Sequence, residues 1–124
     1  MQLIIQNLSK TYPNGTKALS NINLEIPTGL FGLLGPNGAG KSSLMRSIAT
    51  LQDADTGSIF LDDLDVMKNK DEMRKYLGYL PQEFGVYPNI SAQDLLDHLC
   101  VLKGISNSKE RSDLVKALLS QTNL

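Results

Sequence analysis

The first quarter of the chain alternates polar and apolar residues, whereas the last third repeats apolar residues at helical spacing. The period of two predicts strands over 2–6, 8–12 and 18–26. Its clearest stretch is Asn21-Ile22-Asn23-Leu24-Glu25-Ile26, which puts its apolar members on one face of a half-buried strand. Pro13-Asn14-Gly15-Thr16 separates two of these runs, and an Asn-Gly pair there is a hairpin signal. The unbroken apolar run Leu30-Phe31-Gly32-Leu33-Leu34 predicts a buried strand, followed by a helix over 41–51. Residues 53–57 predict a turn and 58–61 a short strand. A helix over 69–76 then leads to an apolar strand, 77–80, closed by Pro81.

The pattern changes near residue 90. Ser91-Ala92-Gln93-Asp94 offers an N-cap with an acid three residues on, opening a helix to about Lys103 with Gly104 as its stop. A second helix is predicted from Ser108 to about Gln121, with Leu114, Val115, Leu118 and Leu119 on its apolar face. There is no internal repeat and no low-complexity linker. The chain therefore reads as α/β over 1–90 and all-helical over 91–124, with a subdomain boundary between them.

Bulk properties narrow the function by exclusion. With 41% hydrophobic and 20% charged residues, the 124-residue chain has the composition of a globular domain with a real core. Its formal net charge is −1 and its basic residues are scattered, so no nucleic-acid partner is expected. Any phosphate site must work through local geometry. The single cysteine, Cys100, sits among Leu95, Leu96, Leu99 and Leu102 and reads as a buried apolar residue, in keeping with a reducing compartment. Met1 runs directly into strand-like sequence without a signal peptide. No apolar run approaches the ~20 residues that span a bilayer. Membrane association is expected only through a partner.

One stretch carries specific chemistry. Gly35-Pro36-Asn37-Gly38-Ala39-Gly40-Lys41-Ser42 fits the phosphate-loop pattern G-x-x-x-x-G-K-[ST], between a predicted strand and a predicted helix as that motif requires. Glycines let the backbone take positive φ and bring amides close to a ligand. Successive N–H groups over 38–42 form an anion nest, to which the helix N-terminus adds partial positive charge. Lys41 suits β- and γ-phosphate oxygens, and the Ser42 hydroxyl is a hard ligand for Mg²⁺. The bland alternative is a glycine-rich turn that binds nothing, and the full match weighs against it.

The segment 35–43, Gly-Pro-Asn-Gly-Ala-Gly-Lys-Ser-Ser, resembles the phosphate loop of ABC transporter ATP-binding subunits, and the likeness extends in order along the chain. It is similar to the subunits of bacterial ABC-2-type or multidrug exporters. The resemblance implies a P-loop NTPase fold of ABC ATPase type in incomplete form. That means an antiparallel β-subdomain, part of the parallel core sheet and the start of the helical subdomain. It implies ATP and Mg²⁺ as ligands, held by Tyr12, Gly35, Pro36, Asn37, Gly38, Ala39, Gly40, Lys41, Ser42 and Ser43. Tyr12 lies where the family places an aromatic that stacks on adenine. Gln82, in Leu80-Pro81-Gln82-Glu83, matches the Q-loop glutamine that touches Mg²⁺ and the attacking water. Ser42 and Gln82 are thus the implied metal contacts, and Gln82 the implied catalytic residue. The implied partners are a transmembrane permease, contacted through Gln82 to Ser91, and a second ATP-binding subunit in a head-to-tail dimer. The implied location is cytoplasmic, peripheral on the inner face of the cell membrane.

Each assignment stands beside a plainer one. Tyr12 also suits a hairpin closure, and Gln82 a loop residue after Pro81. Phe84, Val86 and Tyr87 fit core packing as well as a groove for a partner helix. Ile59-Phe60-Leu61-Asp62-Asp63 has the form of a Walker B strand ending in acids. It follows a turn directly, however, and the resemblance implies a strand of the β-subdomain, with the acids in a solvated turn. His98, the single histidine, falls on the polar edge of a helix and is assigned no catalysis.

The signature sequence, the Walker B aspartate with its catalytic glutamate, and the switch histidine of the family do not occur in these residues. The chain is therefore expected to be the N-terminal portion of such a subunit, truncated before those parts. It should bind ATP without turning it over, and its unpaired strand edges should make it marginally stable and prone to associate. Two alternatives remain open: a nucleotide-binding module of the same class without a transport role, and a small P-loop kinase using Asp62 or Asp63.

Overall fold

The computed structural model describes residues 1–83, 85 and 88–123. They form two compact units, Met1–Tyr79 and Leu80–Leu124.

The first unit is built on two long strands, β1 (Leu3–Thr11) and β2 (Lys17–Ile26), followed by helix α1 (Lys41–Ile48), strands β3 (Thr56–Leu61) and β4 (Leu64–Asp65), and helix α2 (Lys70–Tyr76). The strands make one sheet in the order β2-β1-β3-β4, and every pairing is antiparallel. The hairpin between β1 and β2 closes where Asn14-Gly15 predicts it: Tyr12 N–H donates to Thr16 O at 2.9 Å, and Gly15 takes φ 85°.

The two strands predicted over 2–6 and 8–12 are one strand with a kink at the residue between them. Asn7 sits at φ 51°, and the β1–β2 register shifts between Ile5 and Leu8. That irregularity lets Ile5 and Leu8, three apart, both reach the core, which strict alternation forbids. Asn21 makes the matching distortion in β2 at φ 50°, and Asn23 ties the two together by accepting from Asn7 N–H at 3.0 Å. Gly57 opposes the kink at φ 97°. A Cβ there would lie 2.5 Å from Asn7 O, so no other residue fits. Under the sheet, Ile5, Leu8, Leu19 and Ile59 pack with Leu44 of α1, with Val66 just after β4 and with Met73 of α2, all essentially buried.

Helix α1 ends at Ile48 rather than near Leu51. Thr50 takes φ 60°, its N–H bonds Ser47 O, and Leu51 N–H bonds Arg46 O. This is a Schellman-type stop with a threonine in the place glycine usually holds. The Arg74 guanidinium braces it, with Nε 3.0 Å from Thr50 Oγ1.

The strands predicted over 30–34 and 77–80 do not form. Both segments are irregular, with Leu30, Leu34 and Leu80 exposed, and no parallel pairing occurs among the described residues. A parallel strand is stable only with ladder partners beside it and cover on both faces, and neither segment finds them. The α/β class and the antiparallel subdomain stand. The parallel sheet is where sequence and structure part.

The second unit is a helical hairpin, α3 (Ala92–Leu102) and α4 (Ser108–Gln121). The Ser91 Oγ caps α3 by accepting from Asp94 N–H at 3.0 Å. Gly104, at φ 89°, stops it with a Schellman pair in which Ile105 N–H reaches Cys100 O. Asn107 caps α4 through two backbone amides. Cys100 and Val115 are buried, Leu118 and Leu119 partly so, and Leu114 is exposed. Arg111 joins the helices, donating to Asp97 at 3.0 Å and to the carbonyls of Ile105 and Ser106.

Candidate functional site: the glycine loop and its tyrosine

The loop at 35–43 leaves β2 by way of the irregular segment and enters α1. Gly38 and Gly40 both take positive φ, 84° and 92°, which other L-residues adopt only under strain. A Cβ at Gly40 would lie 2.2 Å from Ala18 O, so the glycine lets the start of α1 rest directly on the backbone of β2. Ala39 N–H closes a turn onto Pro36 O at 3.2 Å. Lys41 folds back across the loop, its ammonium donating to Gly35 O and, at 2.7 Å, to Pro36 O. The N-cap residue, Gly40, offers no side chain, and Leu44 N–H is bonded back to Gly40 O at 2.9 Å. The amides ahead of Leu44 thus lack intrahelical partners, as at any helix start. No acid lies in the first turn of α1, so nothing there offsets the positive end of its dipole. The Ser42 side chain is exposed and the Ser43 side chain buried.

Tyr12 reaches this loop from the end of β1. Its Oη lies 2.8 Å from Ser43 Oγ and donates to Gln52 Oε1 at 3.0 Å. Gln52 in turn donates through Nε2 to Ser43 O at 2.9 Å and to Ser47 Oγ at 3.1 Å. The Ser43 hydroxyl holds the Tyr12 phenol below the ordinary tyrosine range. Burial opposes that shift, while Arg46 and Lys10 reinforce it. Lys10 Nζ stands 6.0 Å over the ring centroid, at the outer limit of a cation–π contact. Lys10 also pairs with Asp55 at 3.4 Å, and Asp55 accepts from Thr11 N–H at 2.7 Å. The structure therefore brings Tyr12 and Ser43, both singled out from the sequence, into contact. Gln52, which joins them, escapes sequence reasoning; its trace there is a long amide side chain just past a helix end.

The remaining candidates fall elsewhere. Gln82 is an exposed residue of the second unit. Phe84, Val86 and Tyr87 lie outside the described residues. Asp62 and Asp63 form the two-residue turn between β3 and β4, and Asp62 Oδ1 accepts from Gln2 N–H at 2.8 Å. That acid braces a hairpin, as the turn reading expects, rather than ending a core strand. His98 is exposed on α3. Among the described residues no group of three His, Cys, Asp or Glu side chains could hold a metal ion. A cavity of about 410 Å³ beside α2, lined by Met67 to Glu72 and Arg74, includes no residue of the loop.

The sequence profile of the ABC transporter family matches residues 19–124. The chain is 41% identical over 91 residues to the phosphonates import ATP-binding protein PhnC of Lactococcus lactis subsp. cremoris, covering 69% of this chain and 37% of that protein. It is 35% identical to the sulfate/thiosulfate import ATP-binding protein CysA of Halalkalibacterium halodurans, across 100% of this chain and 35% of that one. The probable multidrug ABC transporter ATP-binding protein YbhF of Escherichia coli matches at 31% identity over 94% of this chain and 20% of its own length. Among solved structures, the ATP-binding cassette MJ0796, a dimer in a post-hydrolysis state bound to ADP and Pi, superposes with a TM-score of 0.82. The identity is 28%, over 98% of this chain and 57% of that one. Fold and family match together define part of an ABC ATPase cassette. The chain belongs to the ABC transporter family, and it spans between 20% and 37% of the length of these three curated relatives.

Proposed function

We propose that residues 35–43 hold the triphosphate of ATP, and that the chain is the nucleotide-binding part of a transporter-energising subunit. The observation that carries the proposal is the folded loop itself. Gly38 and Gly40 sit at positive φ, α1 begins without a side-chain cap, and Lys41 lies across the loop. An ammonium has three donors; two serve loop carbonyls and the third remains for a phosphate oxygen. The backbone amides of Gly38 and of 40–43, with the α1 dipole, supply the rest of the anion's stabilisation. Mg²⁺ fits this donor set as a phosphate-borne ion: Ser42 offers one hard oxygen, and the phosphates and water complete the shell. Tyr12 would stack on the base, and Pro36, Asn37 and Ala39 shape the loop between its glycines.

The wider assignments rest on kinship. Gln82 would contact Mg²⁺ and orient water, and the Gln82 to Ser91 segment would meet a membrane permease at the inner face of the cell membrane. A second ATP-binding subunit would complete the site head to tail. Residues 1–90 would then form the nucleotide-binding core and 91–124 the first part of a helical subdomain. The 124-residue chain is expected to bind ATP without turnover, because the acids and the switch histidine to which hydrolysis is assigned in this family are not among its residues. Calorimetric titration with Mg-ATP, paired with a phosphate-release assay, tests both halves. Saturable binding lost in Lys41→Ala, with release at the blank rate, is expected. Release above the blank that Lys41→Ala abolishes would overturn the second half, and binding unchanged by that substitution would overturn the first.

A further inference from the structure

We infer that Gln52 is a positioning residue for the nucleotide base: it fixes the Tyr12 ring by fixing the direction of the Tyr12 hydroxyl. This rests on the ATP reading of the loop. Ser43 O is an acceptor only, so the group 2.9 Å from it must be the Gln52 amide nitrogen, and Gln52 Oε1 must face Tyr12. Ser47 fits the same assignment. Its hydroxyl donates to Ser43 O at 3.0 Å and is free to accept from Gln52 Nε2. Facing a carbonyl oxygen, the Tyr12 hydroxyl has to donate. The Ser43 hydroxyl, 2.8 Å from Tyr12 Oη, then has to donate to it in turn. One amide thus orders two rotors, and the tyrosine is clamped at its far end to the first turn of the helix that carries the phosphate loop. Lys10 approaches one face of the ring, so a stacked base would take the other. The chain of bonds has a further consequence. The single proton of the Ser43 hydroxyl is committed to Tyr12, so Ser43 serves a phosphate through its backbone N–H.

The base and phosphate contributions separate if ATP and inorganic tripolyphosphate, each with Mg²⁺, are titrated against the same chain. The wild type should bind ATP more tightly than tripolyphosphate, and Gln52→Leu should weaken ATP several-fold while leaving tripolyphosphate unchanged. Tyr12→Phe, which removes only the hydroxyl, should do the same. Adding Gln52→Leu to Tyr12→Phe should then cost nothing more, because both act through one bond. A purely structural role for Gln52 would weaken both ligands together, and that result overturns the inference. So does a Gln52→Leu chain with the wild-type preference for ATP. If the wild type binds neither ligand, the ATP reading of the loop itself fails.

Discussion

Gly40→Ala is the sharpest perturbation of the loop, because two separable effects meet at one atom. The first is conformational: at φ 92° an alanine carries a left-handed penalty of about 1–2 kcal/mol. The second is steric. The new Cβ would lie 2.2 Å from Ala18 O, where real contacts essentially never fall under 3.0 Å. The opposing atom is backbone in β2, next to the buried Leu19, so it cannot swing aside as a side chain would. The start of α1 must move instead, by roughly 1 Å in an interior packed too densely to absorb it. Overpacking of this kind costs about 1–3 kcal/mol, giving a total of about 2–5 kcal/mol for the variant. Gly38→Ala is the internal control. Its φ of 84° brings the same conformational penalty, but a Cβ there meets nothing within 4 Å. Urea denaturation of both variants, followed by circular dichroism, isolates the steric part as the difference between them. Gly40→Ala should be the less stable by about 1–3 kcal/mol. Its ATP affinity should also fall steeply, since the amides of the loop shift with α1. Equal stability of the two variants would refute the claim that the loop is seated on β2 through Gly40.

Other substitutions probe the frame around the site. Gly57→Ala should destabilise the first unit by about 2–4 kcal/mol, read as a lower urea midpoint, because its Cβ would press on Asn7 O at 2.5 Å and disturb the kink that lets Ile5 and Leu8 share a face. The Asp55 carboxyl is held below the ordinary aspartate range by Thr11 N–H first and by Lys10 after it. A depressed folded-state value stabilises the fold above the unfolded value of about 3.9 and is lost as pH falls through the folded one. Asp55→Asn should therefore be less stable than wild type at neutral pH, with the gap closing below about pH 4 in a melting series. Replacing Leu30 and Leu34 together by Gln should reduce self-association in light scattering without lowering the melting temperature, since both side chains are fully or almost fully exposed.

The antiparallel subdomain and the helical pair were legible in the sequence because their stabilising partners are local. Asn14-Gly15 closes a hairpin between neighbours, Ser91 and Gly104 punctuate α3, and period two marks β2. The loop was legible for the same reason, since every residue its motif names lies within eight positions. What could not be read depends on distant partners. Leu30 to Leu34 has the composition of a buried strand, but composition does not supply the strands that would flank it. The kink at Asn7 interrupts the alternation in a way that looks like two strands, because the compensating residues, Asn21 and Gly57, come 14 and 50 positions later. Gln52 was hidden for a related cause. Its three bonds join Tyr12, just past β1, to Ser43 and Ser47 of α1, and no local pattern encodes a contact across 40 residues.

The identity of the phosphate site can be read residue by residue. Amide shifts of ¹⁵N-labelled chain, followed through a titration with Mg-ATP, report which N–H groups meet the ligand. The largest changes should fall on the amides of 38–43, Lys41 among them, with those of Gly35 and Tyr12 moving at the same ligand concentration, and Lys41→Ala should abolish them. Shifts confined to the α2 cavity at 67–74, or a loop whose amides stay still while ATP binds, would contradict the assignment of 35–43 as the triphosphate site.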